Sequence, residues 1–306
     1  MSMKRIACIG ECMIELWQDR QHSDRMRRTF GGDTLNTAVY ARRCLPAADT
    51  LVSYVTALGT DPFSAELLQA WQAEGLDTAL VARLPDHLPG LYIIRTDADG
   101  ERTFYYWRQQ AAARMLFSCD DTQRIEQALQ DYDFVYLSGI TLAILDESSR
   151  ERLLTLLASI RSHGGKVGFD SNYRPRLWPD PVAARHWLQK IWAQTDLACP
   201  TFEDEAALWG DADPNATADR LQTLGVAEIV VKQGPKPALL ALDGQRQLVT
   251  GEPVAQPIDT TAAGDSFNAA YFSARLSGHT AVAAAEAGHR LAARVIQQQG
   301  AIIAAE

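Results

Sequence analysis

Short, continuously apolar runs alternate along this chain with longer stretches in which apolar residues recur at threes and fours. The short runs are 6–9, 51–55, 134–137, 166–169, 196–199, 228–231 and 238–242. Between and after them lie helical stretches at roughly 35–44, 63–74, 121–129, 148–162, 181–194, 204–209, 216–224, 266–276 and 280–298. A strand that is apolar throughout needs cover on both faces, so the alternation predicts a mainly parallel sheet between two layers of helices. Ligands in such folds sit beyond the carboxyl ends of the strands. The loops that leave those ends are where the chemistry is to be sought.

Two segments break the alternation. Residues 11–30 alternate in polarity around a highly charged stretch at 18–25, which reads as two strands joined by a polar turn. Residues 90–108 place β-rich runs on either side of Asp97-Ala98-Asp99-Gly100, a hairpin signal. Two hairpins inserted at separate points predict a small sheet over the main domain. That sheet can cover a ligand, dock on a second subunit, or both. With no internal repeat or low-complexity linker, the 306 residues read as a single domain.

The bulk numbers exclude several partners. A net charge of -9 and a pI near 5.2, without a Lys/Arg block, argue against nucleic acid and against an acidic membrane surface. Cysteines at 8, 12, 44, 119 and 199 form no paired spacing, which points to reduced thiols and away from structural zinc. The apolar run behind Met-Ser-Met-Lys-Arg is too short for a signal peptide, and no run is long enough to span a bilayer. A cytoplasmic protein is expected.

Four loops carry candidate chemistry. In Gly31-Gly32-Asp33-Thr34-Leu35-Asn36 the glycine pair lets a ligand approach the backbone, Asp33 can cap a helix, and Asn36 lies one turn in. In Tyr105-Tyr106-Trp107-Arg108, strand alternation puts Tyr106 and Arg108 on one face, with Tyr105 and Trp107 on the other. Arg108 presents a planar fork suited to a carboxylate, while the opposite aromatic face is free to pack on a partner. Asp170-Ser171-Asn172-Tyr173-Arg174-Pro175 emerges at the carboxyl edge of the 166–169 run and suits phosphate or substrate contact. Lys232-Gln233-Gly234-Pro235 reads either as a nucleotide-lining loop or as a tight hairpin.

A fifth segment, Asp259-Thr260-Thr261-Ala262-Ala263-Gly264-Asp265, precedes an Ala-rich helical pattern. Small residues at a helix start leave backbone N–H groups uncovered, and those groups with the helix dipole attract an anion such as phosphate. An acid at that spot reads either as a helix cap or as a base for a group about to meet phosphate. Neither a G-x-x-x-x-G-K-[ST] loop nor a G-x-G-x-x-G turn after the first strand occurs.

Taken together, these motifs resemble those of the ribokinase-like (PfkB) carbohydrate kinases over essentially the whole chain. Gly31-Gly32-x-x-x-Asn36 looks like the family's amino-terminal signature, and Asp259-Thr-Thr-Ala-Ala-Gly-Asp265 like its carboxyl-terminal D-T-x-G-A-G-D. The resemblance implies a three-layer α/β/α sandwich with a mainly parallel central sheet and a small β lid. Gly-Glu-Cys-Met-Ile-Glu-Leu at 10–16, Thr-Phe-Tyr-Tyr-Trp-Arg at 103–108 and Asn-Tyr-Arg-Pro-Arg-Leu-Trp at 172–178 are most similar to family members acting on a keto-deoxy sugar acid. The implied activity is ATP-dependent phosphorylation of 2-dehydro-3-deoxy-D-gluconate at O6. A fructose or ribose kinase and a non-catalytic sugar-binding module are the alternatives.

Carried over by position, the resemblance implies substrate contacts at Gly31, Gly32, Asn36, Tyr92, Tyr106, Arg108 and Arg174. It makes Asp265 the base for the O6 hydroxyl, with an anion hole in the N–H groups of Ala262, Ala263, Gly264 and Asp265. Asn172, the Lys232–Pro237 loop with Gly234, and the Ala262–Gly264 run are expected to meet ATP, and His289 its adenine. Mg²⁺, a K⁺ ion near Asp259–Thr261, and a homodimer through paired lids complete the expectation. Ala262 stands where relatives carry Gly, which implies backbone angles that tolerate a Cβ. Thr201 stands where many carry the Asn of an N-x-x-E element, so the metal ligands are left open.

Overall fold

The computed structural model describes residues 3–18, 25–96 and 102–305. The expected turns at 19–24 and 97–100 lie outside the described residues. In chain order the elements begin β1 Lys4–Ile9, β2 Met13–Gln18, β3 Met26–Gly31, α1 Asp33–Cys44, β4 Thr50–Leu58, α2 Pro62–Ala73, β5 Val81–Arg83, β6 Gly90–Thr96 and β7 Arg102–Trp107. They continue with α3 Thr122–Leu129, β8 Phe134–Ser138, α4 Gly139–Ile144, α5 Glu147–Ser162, β9 Lys166–Asp170, α6 Pro181–Trp192, β10 Leu197–Ala198, α7 Phe202–Trp209 and α8 Pro214–Thr223. The last are β11 Glu228–Gln233, β12 Lys236–Leu242, β13 Gln245–Val249, α9 Ala263–Leu276 and α10 Ala281–Val295.

The main sheet has nine strands in the order β13-β12-β11-β10-β9-β8-β1-β4-β5. Pairings from β11 through β5 are parallel, and β12 and β13 add an antiparallel edge. Cover on both faces is visible in β1 itself. Ala7 and Ile9 belong to one buried cluster, and Ile6 and Cys8 to another on the opposite side. Period-two alternation thus feeds two cores, which is why an unbroken apolar run was required. Packing in the second core raises the Cys8 thiol well above its usual pKa, so it serves as an inert packing group.

Three differences from the sequence reading have physical causes. β13 escaped the apolar-run criterion because it is an edge strand whose Gln245, Arg246 and Gln247 are exposed. α4 follows β8 at once and is only six residues long, held by a Ser138 and Thr141 capping box rather than by periodicity. α9 begins at Ala263, three residues ahead of the pattern, because its first turn carries small residues and Asp265 in place of an apolar stripe.

The two expected hairpins do combine. Strand β2 pairs antiparallel with β3, β6 pairs antiparallel with β7, and β2 runs parallel to β6. The resulting four-stranded sheet, β3-β2-β6-β7, is the lid. Among the described residues, no helix is long and apolar enough to cross a membrane.

Candidate active site

A cavity of about 1060 Å³ is bounded by Asp265, Asp170 and Lys232 from the domain body and by Tyr92, Tyr106 and Arg108 from the lid. This is the carboxyl-end position that the alternation predicts.

Its floor is built by the 259–265 turn. The buried Asp259 carboxylate accepts hydrogen bonds from Thr261 N–H (3.0 Å), Thr261 Oγ1 (2.6 Å) and Gly300 N–H (3.1 Å). That clamp turns the chain sharply at Ala262, which has φ 60° and ψ 16°. The expectation for Ala262 is therefore corrected: the angles are left-handed, the region that disfavours a Cβ and suits Gly. Ala263 N–H donates to the Thr260 carbonyl at 3.3 Å, and Gly264 and Asp265 contribute the first-turn N–H groups that a helix leaves without intrahelical acceptors.

Asp265 faces the cavity and is partly exposed there, while protein packed around its carboxyl strips away much of the water. That desolvation, followed by repulsion from Asp33, raises its pKa to about 7. Asn36 Nδ2 donates to Asp265 Oδ2 at 2.8 Å, and Thr37 Oγ1 donates to the Asp265 carbonyl at 3.3 Å. Helix α1 thus holds the acid from the side.

The loop after β9 forms the next wall. Asp170 accepts from Lys232 Nζ at 2.6 Å and from Asn268 Nδ2 at 2.8 Å, and its other oxygen accepts Asn172 N–H at 3.1 Å. Asn172 adopts φ 34° and donates its side-chain amide to Asp33 at 2.7 Å. Lys232 belongs to β11 rather than to the loop behind it. A Cβ built on Gly264 would lie 3.3 Å from Lys232 Nζ, so this ammonium adjoins the first turn of α9. Arg174 is exposed at the rim and reaches Asp204 at 3.4 Å. Burial raises the Asp204 pKa to about 6.

Two residues expected to contact the nucleotide, Gly234 and His289, lie outside the lining of this cavity. Gly234, at φ 56°, forms the tight turn between β11 and β12, outside the cavity lining. His289 donates from Nε2 to the Val249 carbonyl at 2.9 Å and packs its ring edge-on against Phe267, so it ties α10 to β13.

The lid contributes as its alternation predicts. Phe104, Tyr106 and Arg108 line the cavity, while Tyr105 and Trp107, on the other face, do not; the four aromatic rings are all exposed, at 38% to 57%. Tyr92 stacks on Tyr106 with ring centroids 5.7 Å apart, but its hydroxyl donates to Glu15, so it offers the cavity a ring face. Gly31 and Gly32 line the cavity too, and a Cβ on Gly32 would come within 2.1 Å of the Glu11 carbonyl oxygen. Arg108 is buried against Glu11, whose carboxylate accepts from its guanidinium. Glu11 was read as part of the 10–16 run and not as a site residue, because, separated by one residue from the end of an apolar strand, it resembles an ordinary strand flank. Its local signal was an acid at a carboxyl strand end.

Residues 3–306 match the model of the "pfkB family carbohydrate kinase" group. The chain belongs to the pfkB carbohydrate kinase family. This pfkB kinase is 50% identical over 309 residues to a 2-dehydro-3-deoxygluconokinase of Dickeya dadantii, covering 100% of this chain and 99% of the relative. It is 49% identical to a 2-dehydro-3-deoxygluconokinase of Escherichia coli K12, covering 99% and 98% respectively. Its fold also matches a PfkB protein from Polaromonas at TM-score 0.85 and 26% identity, covering 97% of this chain and 96% of that one. The ribokinase-like architecture and the kinase class are thereby established for this pfkB kinase.

Proposed function

We propose that this kinase transfers the γ-phosphoryl group of ATP to O6 of 2-dehydro-3-deoxy-D-gluconate, giving the 6-phosphate and ADP. The observation that carries the reading is Asp265 at the start of α9, held by Asn36 and placed beside the Gly264 backbone and Lys232. The near-full-length relatives at 49–50% identity supply the substrate.

Asp265 accepts the proton of the O6 hydroxyl as that oxygen bonds to the γ-phosphorus. The bond from the γ-phosphorus to its bridging oxygen breaks, and ADP leaves. Negative charge on the transferring oxygens is met by the N–H groups of Gly264 and Asp265, by the helix dipole, and by Lys232. Phosphoryl transfer requires positioning and charge neutralisation above all, and these groups are fixed before substrate arrives. Phe104, Tyr106 and Tyr92 wall off the sugar end, with Arg108 and Arg174 available to the carboxylate.

Magnesium bound with the nucleotide supplies further neutralisation of phosphate charge. Among the described residues no group of three or more His, Cys, Asp or Glu is arranged to hold a metal. That suits an ion carried by phosphates and water with one or two carboxylates. Asp204 fits best, because it lines the cavity and its ion pair with Arg174 is long, at 3.4 Å. The proposal includes a K⁺ ion beside the 259–261 turn and a lid-to-lid homodimer. The exposed Tyr105 and Trp107 support the dimer, which light scattering tests directly.

A coupled ADP-release assay across sugar acids and neutral sugars tests the reading. The account expects kcat/KM for the sugar acid to exceed that for fructose by roughly 10²-fold or more. Equal or reversed preference would transfer the chain to a neutral-sugar activity.

A further inference from the structure

The pair formed by Glu11 and Arg108 leaves two polar atoms unused. Glu11 gives one carboxylate oxygen, Oε2, to Arg108, while Oε1 is buried and has no partner among the described residues. Arg108 Nε is likewise buried without an acceptor. Both residues line the sugar end of the cavity, with their side chains only 1% and 7% exposed. Gly90 makes room for this carboxylate, and Gly32 for the backbone that carries it. A Cβ on Gly90 would come within 2.8 Å of Oε1, and one on Gly32 within 2.1 Å of the Glu11 backbone oxygen.

A pair whose work was simply to fasten the lid to the domain body would account for Oε2 and leave Oε1 unexplained. An ionised carboxylate oxygen accepts hydrogen bonds and repels anions, whereas a guanidinium edge donates. We infer that Glu11 is a specificity residue for the sugar acid: Oε2 positions Arg108, and Oε1 accepts a hydrogen bond from a substrate hydroxyl. The inference rests on the sugar-acid reading above and adds to it the second half of the recognition.

The chemistry required of the ligand is then double. It must place a carboxylate against Arg108 and a hydroxyl against Glu11. A neutral sugar leaves Arg108 without its anion. A small anion without hydroxyls meets the Glu11 charge and offers it no donor.

The variant Glu11→Gln keeps the shape and removes the charge. Its amide oxygen can still face Arg108, which turns the amide N–H₂ toward the ligand. The KM for the sugar acid should rise about tenfold, by more than kcat falls, because the hydroxyl exchanges a charge-assisted hydrogen bond to a carboxylate for a neutral one to an amide. Inhibition by 2-oxobutanoate, a keto acid with no hydroxyl, should strengthen several-fold as the repelling charge is lost. A structural fastening would weaken both ligands together. Parallel weakening, or a sugar-acid KM within about twofold of wild type, overturns the inference.

Wild-type protein gives a second test that needs no variant. The account expects 2-oxobutanoate to bind at least about tenfold more weakly than the sugar acid, and equal affinity overturns the inference. Wild-type protein that turns over no sugar acid at all would instead sink the parent reading, so the two failures are distinguishable.

Discussion

Asn36 donates its side-chain amide to Asp265 at 2.8 Å although 229 positions separate the two residues in the chain. The contact joins the two family signatures into one site through the packing of α1 against α9. It favours the ionised acid and fixes its direction, while burial works the other way. Asn36→Ala should lower kcat/KM by about 10²-fold and move its acid limb to higher pH, since a bond to the ionised form is lost. A pH–rate series on purified variant checks both effects. An unmoved limb with full activity would make the bond structural.

The acid limb itself has a predicted place. Asp265 must be ionised to accept a proton, and its folded pKa is raised to about 7 by burial and then by Asp33. Wild-type kcat/KM should therefore fall as pH drops below about 7. Asp33→Asn should shift the limb to lower pH by removing the like charge. A limb near pH 4 in the wild type, the range of an ordinary carboxylate, would contradict the assignment.

Stability should show the same group with the opposite consequence. A carboxyl whose pKa is raised on folding binds its proton more tightly in the folded state, so stability falls as pH rises from about 4 to about 7. Asp204, at about 6, and Glu205, raised by burial to about 7, act in the same direction and window. Comparison with Asp265→Asn isolates one of the three. Above pH about 7 that variant should melt a few degrees higher than wild type, and the gap should close toward pH 4.

Ala262 carries a conformational cost that Gly at this position would avoid. At φ 60° an L residue is disfavoured by roughly 1–2 kcal/mol, offset in part by the greater freedom of unfolded Gly. Ala262→Gly should leave the turn intact and raise Tm by about 2 °C, measured by scanning calorimetry. A fall in Tm would mean that the left-handed turn is not what limits this position.

Lys232 and Asp170 form a buried pair at 2.6 Å, with side chains 8% and 6% exposed. Removing one partner strands the other. Lys232→Met should destabilise by about 3–5 kcal/mol in denaturant titrations and also raise the KM for ATP. A stable variant with unchanged ATP kinetics would remove Lys232 from both roles.

Much of this architecture was legible in the chain. β1, β4, β8 and β9 declare themselves because burial on both faces demands unbroken apolar runs. The lid was legible from two interruptions of the alternation, and Asp265 from its place at a small-residue helix start. What was hidden depends on tertiary placement. Glu11 lies beside an unremarkable strand, and it becomes a site residue when Arg108 arrives from a lid hairpin 97 positions away. Ala262 gives no local sign of its left-handed angles, which are imposed by the Asp259 clamp. His289 and Gly234 are expected at the nucleotide by family position alone; in the fold, His289 bonds a carbonyl on β13 and Gly234 forms the turn between β11 and β12.

The base assignment of Asp265 is the central claim, and Asp265→Asn tests it with the smallest change of shape. Turnover of 2-dehydro-3-deoxy-D-gluconate and ATP should be followed by ADP release beside a thermal melt of the same preparation. The account predicts a kcat lowered by about 10²–10⁴-fold in a protein that still melts cooperatively. Near-normal turnover by that folded variant would contradict it.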